Sequence, residues 1–407
     1  MSIFTHLVLT VCMYDIVKKG GEQSALNAIL NLRKVGIDHY ILLVQNEQHC
    51  KRLREGPLRI SCAWTSLLNN ENRLKKWKIS PDHCTHCAVP INLWWGRLKY
   101  MGEMVEHGIN VLYIDTDVNI VSNPYKYLHS DVLKKHNIII QREGHTIHDL
   151  NIGFIYLNSC SKDGPCRWIF QEALGRLEQL LAVDDVESLW KETDDLNITS
   201  GPHKDIVPYG IFGPKAVFWD QHIMNDVVET AITNKVSHRR SYMRGVKKEE
   251  FTQWIAHLAL PKLPWLEEDG VSYQRLYNNV HADGVGTLST ETIAGAPPEL
   301  LGGWDGIAGP MHVRGVNGWW NVAPPAVIHF VGSSNDKGPP TKVNHMWRVE
   351  AECDMNKMIQ QNCSYMQKKY IAFGGQVFSN VTIESYGAFS EAYRDVIYRL
   401  LHVASVR

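Results

Sequence analysis

The sequence is short of charge imbalance before anything else. Lys plus Arg number 42 and Asp plus Glu 43 in 407 residues, a formal net charge of −1. A near-neutral chain lacks the basic footprint of a non-specific nucleic-acid or membrane-surface binder, so no nucleic-acid partner is expected. Long apolar runs are missing too. Nothing approaches the roughly 20 apolar residues that cross a bilayer, and no membrane span is predicted. The opening MSIFTHLVLTVCMYDIV is apolar for only a few residues and lacks a basic start. It reads as a buried first strand rather than a signal peptide. A disulfide framework is also wanting: nine cysteines, an odd number at irregular spacing, predict reduced thiols. The expected location is cytoplasmic, with the Golgi lumen as the alternative if an anchor lies outside this chain. Cys84 and Cys87 form a C-x-x-C beside His83. Without a second ligand pair at zinc spacing they read as two ordinary thiols.

What is present is a globular composition, 44% hydrophobic and 21% charged. Strand-like and helix-like patterns alternate through the first half. His6 to Val11 and Tyr40 to Val44 are apolar runs, and Ala25, Leu26, Ile29, Leu30 and Leu32 form a helical stripe ending at Gly36. Leu98, Met101, Met104 and Val105 share another helical face, closed by Gly108. Strands are predicted at Val111 to Ile114, Ile138 to Ile140, Ile152 to Leu157 and Val327 to Val331. Helices are predicted at Trp168 to Ala182 and from Asp220 to Thr233. The alternation predicts an α/β fold with a mostly parallel sheet flanked by helices. Residues 262 to 325, rich in Gly, Pro and Trp, are expected to be a long functional loop. One domain over 1–340 and a helical C-terminal extension over 341–407 are expected.

Three segments bring candidate chemistry to strand or helix ends. Val111 to Ile114 runs into Asp115 and Asp117, two carboxylates at i, i+2. In extended backbone that spacing points both to one side, a suitable start for a divalent cation site. The strand from Val327 brings His329 before Gly332 and Lys337. Together Asp115, Asp117 and His329 make an O,O,N donor set suited to Mn²⁺ (or Mg²⁺), with Gly332 and Lys337 near a diphosphate. Asp220, Gln221 and Asn225 open an amphipathic helix, where Asp220 also serves as a cap.

These motifs, in order, resemble the nucleotide-diphospho-sugar transferase family that includes plant rhamnogalacturonan xylosyltransferases. Glycogenin-like and bacterial galactosyltransferases are more distantly similar. The resemblance covers roughly residues 5 to 335. Arg97 matches an arginine in the helix before the D-x-D, and Asn151-Ile-Gly153 matches the N-x-G strand after it. Asp220, Gln221 and Asn225 match D-Q-x-x-x-N, and His329 to Gly332 match H-F-x-G. The resemblance implies a GT-A (Rossmann-like) fold and a retaining transfer of sugar from a nucleotide diphosphate, UDP above all, to a glycan, protein or small-molecule acceptor. It implies that Asp115, Asp117 and His329 bind the metal, with Asp115 also on the ribose. Arg97 and Lys337 would neutralise phosphate charge, while Asn151 and Asp220 position the donor sugar and Gln221 lies near its anomeric carbon. Tyr14 is the candidate to stack on the base. Absence of an evident carboxylate base fits retention. Trp304, Trp319 and Trp320, in the expected loop, are candidates for an acceptor wall, since aromatic faces pack on sugars. Trp94 and Trp95 are expected in the core. The alternatives are a metal-dependent phosphohydrolase and a non-catalytic nucleotide-sugar-binding relative.

Overall fold

The computed structural model describes residues 6–11, 21–44, 47–55, 59–64, 88–116, 118–120, 122–142, 150–181, 220–236, 265–278, 286–297, 299–305, 309–310 and 326–331. The chain forms two compact units. The first takes Met1–Thr65, Leu112–His129 and Pro297–Arg407, and the second Ser66–Val111 and Ser130–Ala296. The expected extension, 341–407, lies outside the described residues.

In the first unit, strands β1 (His6–Val11), β2 (Tyr40–Val44) and β3 (Cys62–Trp64) alternate with helices α1 (Gly21–Lys34) and α2 (Glu47–Glu55). The pairs β1–β2 and β2–β3 are parallel, as the alternation predicts. Ala25, Ala28, Ile29 and Leu32 of α1 are fully buried, which fixes its inner face. A second, four-stranded sheet of this unit runs in the order β12-β11-β13-β5. Its members are β5 (Val118–Ile120), β11 (Leu301–Asp305), β12 (Gly309–Pro310) and β13 (Val327–Val331). A short helix, α4 (Tyr125–Leu128), follows β5.

The second unit is helices on strands. Helix α3 (Ala88–Glu106) buries Trp95, Leu98, Met101, Met104 and Val105. It packs on α5 (Pro165–Leu181), which packs in turn on α6 (Asp220–Thr233). Gly108, at φ +69, ends α3 in the left-handed region that only glycine adopts freely. Its N–H reaches the Val105 carbonyl and that of Ile109 reaches Met104, so the last turn is satisfied before strand β4 (Asn110–Asp115) begins. Arg176, 1% exposed on α5, holds Glu172 one turn away and donates to the Thr230 hydroxyl of α6.

Strands of the second unit are β6 (Ile138–Arg142), β7 (Leu150–Leu157), β8 (Leu266–Glu268), β9 (Val271–Asn278) and β10 (Thr287–Gly295). Their order is β7-β6-β10-β9-β8. Only β6–β10 is parallel among these pairs, and β6–β7, β9–β10 and β8–β9 are antiparallel. The α/β class holds, but the mostly parallel sheet is corrected to a mixed one. The expected long loop at 262–325 is corrected as well, since β8 to β12 fall within it. Asp269 and Gly270, at φ +52 and +78, make a two-residue hairpin between β8 and β9. That hairpin is local, so it turns the chain back antiparallel without a crossover helix.

Among the described residues four cysteines are paired. Cys50 of α2 is linked to Cys62 of β3, and Cys160 to Cys166 at the start of α5. The expectation of reduced thiols is corrected for these four, because spacing in sequence says nothing about which thiols folding brings together.

Candidate functional site

In the first unit, Leu112 to Ile114 are fully buried and β4 ends in Asp115, itself 7% exposed. The i, i+2 spacing of Tyr113 and Asp115 sets both side chains on one side of the strand. There the Tyr113 hydroxyl donates to Asp115 Oδ1. Asp117 lies outside the described residues. Val118 of β5 pairs antiparallel with His329 of β13. His329 therefore stands in register with the residue that follows Asp117. Gly303 of β11 flanks it on its other side, and the histidine is 3% exposed. Among the described residues, no group of three His, Cys, Asp or Glu is assembled to hold a metal. The set that sequence assigns to the metal includes Asp117. Two carboxylates and an imidazole are donors that suit Mn²⁺.

In the second unit, helix α3 carries Arg97 to the first residue of α6. Arg97 Nε donates to Asp220 Oδ2 at 2.5 Å and Nη2 to Oδ1 at 2.8 Å. The two are 2% and 0% exposed, so the guanidinium and the carboxylate neutralise one another out of water. Asp220 Oδ1 also accepts the Gln221 N–H at 2.9 Å, a carboxylate at the positive end of a helix. From Asp220 to Ile232 every residue of α6 is buried except Gln221. Structure thus brings Arg97 and Asp220 together as each other's partners and leaves the Gln221 side chain partly accessible.

Asn151 is 5% exposed near the start of β7, and its Oδ1 accepts the Gly153 N–H at 2.7 Å. Here β7 is irregular. Ile140 faces Ile155 while the next residue, Gln141, faces Asn151, so Ile152, Gly153 and Phe154 have no counterpart on β6. Bulged strands of this kind re-aim side chains, and the side chain to backbone bond of Asn151 fixes the irregularity. Asn225 then ties α6 to this strand. Its Oδ1 accepts the Leu150 N–H at 2.9 Å, and its Nδ2 donates to the Leu150 carbonyl at 2.9 Å and the Gln221 carbonyl at 2.8 Å.

Tyr14, Asp117, Trp319, Trp320, Gly332 and Lys337 lie outside the described residues, as do Cys84 and Cys87. Trp304 belongs to strand β11, in register with Phe330, rather than to a loop. Sequence reading missed Tyr113, although its i, i+2 spacing to Asp115 is the same signal that singled out Asp117.

Residues 59–163 match the family model of the nucleotide-diphospho-sugar transferases. This segment is similar to that family. It contains Arg97, Asp115, Asp117 and Asn151, and ends before Asp220 and His329. Several solved glycosyltransferases are distantly similar. The galactosyltransferase LgtC, in complex with donor and acceptor sugar analogs, shares 13% identity over 94% of this chain and 99% of that one, at TM-score 0.37. GlyE of Streptococcus pneumoniae TIGR4 shares 10% over 93% of this chain and 66% of that one, at 0.34. Its apo form shares 14% over 43% and 39%, at 0.26. The present chain thus spans under two thirds of either GlyE chain. Mouse xyloside xylosyltransferase 1 shares 9% over 82% and 99%, at 0.29. No curated protein matches the sequence. Likenesses at these scores assign no residue a role.

Proposed function

We propose that this chain is a metal-dependent, retaining glycosyltransferase that moves a sugar from a nucleotide-diphosphate donor, UDP-linked, to a hydroxyl acceptor. The observation that carries the reading is the family match over residues 59–163, which takes in Arg97, Asp115, Asp117 and Asn151 within one stretch. The buried strand β4 ending in Asp115 supports it.

Cleavage of a glycosyl–phosphate bond leaves negative charge on the departing diphosphate. In this reading Asp115, Asp117 and His329 would hold Mn²⁺ (or Mg²⁺), whose chemistry when bound is to neutralise that charge. Lys337 adds a cation, Gly332 lets backbone approach the phosphates, and Tyr14 stacks on the base. Asn151 and Gln221 orient the sugar as it gains oxocarbenium character, which nearby polar oxygens favour. The partial accessibility of Gln221 supports its role at the reacting centre. Arg97, forked on the Asp220 carboxylate, fixes it at the start of α6, from where Asp220 positions the donor sugar. Trp304, Trp319 and Trp320 take the acceptor. The two paired-cysteine links favour the lumenal location over the cytoplasmic one, because disulfides persist in oxidising compartments. Among the described residues no helix is long and apolar enough to cross a membrane.

The test is a panel of nucleotide sugars incubated with the chain and Mn²⁺, following nucleotide diphosphate release and the anomeric configuration of product by NMR. Release that needs Mn²⁺, is lost in Asp115→Ala, and keeps the donor's configuration is expected. Release that survives chelation and Asp117→Ala overturns the metal-dependent reading. Liberation of inorganic phosphate instead identifies a phosphohydrolase.

A further inference from the structure

Asn225 is one turn into helix α6 and four residues beyond Gln221, yet its amide makes three hydrogen bonds to backbone. Leu150, the first residue of β7, gives it both its N–H and its carbonyl, each at 2.9 Å. In an antiparallel pair a residue's N–H and C=O point to the same side. Leu150 therefore turns that side to the asparagine amide, which stands in for a strand partner. The second Nδ2 hydrogen reaches back to the Gln221 carbonyl at 2.8 Å. Asn225 is 2% exposed and Leu150 1%, so water does not compete for these bonds. One amide thus joins the peptide carrying Gln221 to the residue directly before Asn151. A simple packing contact would fix the distance between helix and strand, but a three-bonded amide fixes rotation and register as well.

We infer that Asn225 is a positioning residue, setting the Asn151 and Gln221 backbones in one fixed relation so that their side chains address a single sugar. The inference rests on the transferase reading above. Its consequence is geometric: loss of the latch leaves the binding groups in place and blurs their mutual orientation. A misplacement of about 1 Å costs on the order of a hundredfold in rate where orientation carries the catalysis. The effect belongs to kcat and to the fate of the activated sugar, not to donor affinity.

The experiment compares wild type, Asn225→Asp and Asn225→Ala on the UDP-sugar that the wild type turns over. The Asp variant keeps an acceptor for the Leu150 N–H and loses both donations, while the Ala variant loses all three bonds. Donor KM, kcat, the ratio of sugar transfer to donor hydrolysis, and the fraction folded by circular dichroism are measured together. Expected is a fall in kcat of about tenfold to a hundredfold and a fall in the transfer-to-hydrolysis ratio, at a donor KM within about twofold of wild type. A purely structural role would lower transfer and hydrolysis in proportion to the folded fraction and leave their ratio alone, and that result overturns the inference. So does a folded Asn225→Asp protein with wild-type kcat and ratio. A wild-type chain inert on every nucleotide sugar overturns the transferase reading itself, and is distinguishable because it appears before any variant is made.

Discussion

Arg97 and Asp220 are 123 residues apart in sequence and meet as a fork on a carboxylate, with contacts of 2.5 and 2.8 Å and almost no exposure. Removing one member strands the other charge in a site without water. Asp220→Leu or Arg97→Met alone should therefore cost about 3–5 kcal/mol of stability. The double variant Arg97→Met/Asp220→Leu should recover most of that, since two apolar groups replace a balanced pair. Urea unfolding reads the cycle. Activity should stay lost in the recovered double variant, because Asp220 no longer sets the start of α6 beside Gln221. Full activity in a stable double variant would confine the pair to a folding role.

Tyr113 and Asp115 predict a second separation. The tyrosine hydroxyl holds one carboxylate oxygen, and Tyr113→Phe removes that donor while keeping the ring of a fully buried side chain. Groups that orient a ligand without touching the metal commonly change affinity about 10- to 100-fold. The Mn²⁺ concentration for half-maximal turnover should rise by that order in Tyr113→Phe, with maximal rate at saturating Mn²⁺ little altered. An unchanged Mn²⁺ titration would show that the bond to Tyr113 does not orient Asp115.

Much of this was legible from periodicity. The buried faces of α1, α3 and α6 and the apolar strands β1, β2, β4 and β7 follow patterns of 3.6 and 2 that need no tertiary information. Strand direction was not. The β6 and β7 runs look alike whether paired parallel or antiparallel, and only their neighbours decide. Asp269-Gly270 was a readable hairpin signal inside a stretch whose Gly and Pro content masked it. At the site, motif order singled out Arg97 and Asp220 individually, yet no spacing rule tells that two residues on different helices share one ion pair. The cysteine links were hidden for the same reason.

Those links give a prediction of their own. The Cys50–Cys62 bridge closes a loop of sequence separation 12 in the first unit. A cross-link over a loop of that order contributes about 3 kcal/mol by restricting the unfolded chain. Peptide mapping before and after reduction and alkylation should show Cys50 linked to Cys62 and Cys160 to Cys166 in protein made in an oxidising compartment. Cys50→Ala/Cys62→Ala should then unfold at lower urea. Free thiols at all four positions in such protein would return the chain to the reduced, cytoplasmic reading.

Glu291 of β10 sets the sign of a pH dependence. Its Oε1 accepts the Ser161 N–H at 2.5 Å, just before α5, and its Oε2 the Cys166 N–H at 2.8 Å, in the first turn of that helix. Burial nevertheless raises its pKa above the ordinary 4.5, and the two backbone bonds only partly offset that. A carboxyl whose folded pKa lies above its unfolded one binds the proton more tightly when folded. Its contribution to stability is fully present below pH 4.5 and is lost as pH rises through the raised folded value. Glu291→Gln cannot ionise and keeps one carbonyl acceptor at the helix start. Urea midpoints for both proteins from pH 4 to 7 isolate the group. The stability of wild type minus that of Glu291→Gln should fall across this range and then level off. A difference that rises with pH would mean that the helix terminus and its two N–H groups outweigh burial, and that the folded carboxylate is held below its ordinary value instead.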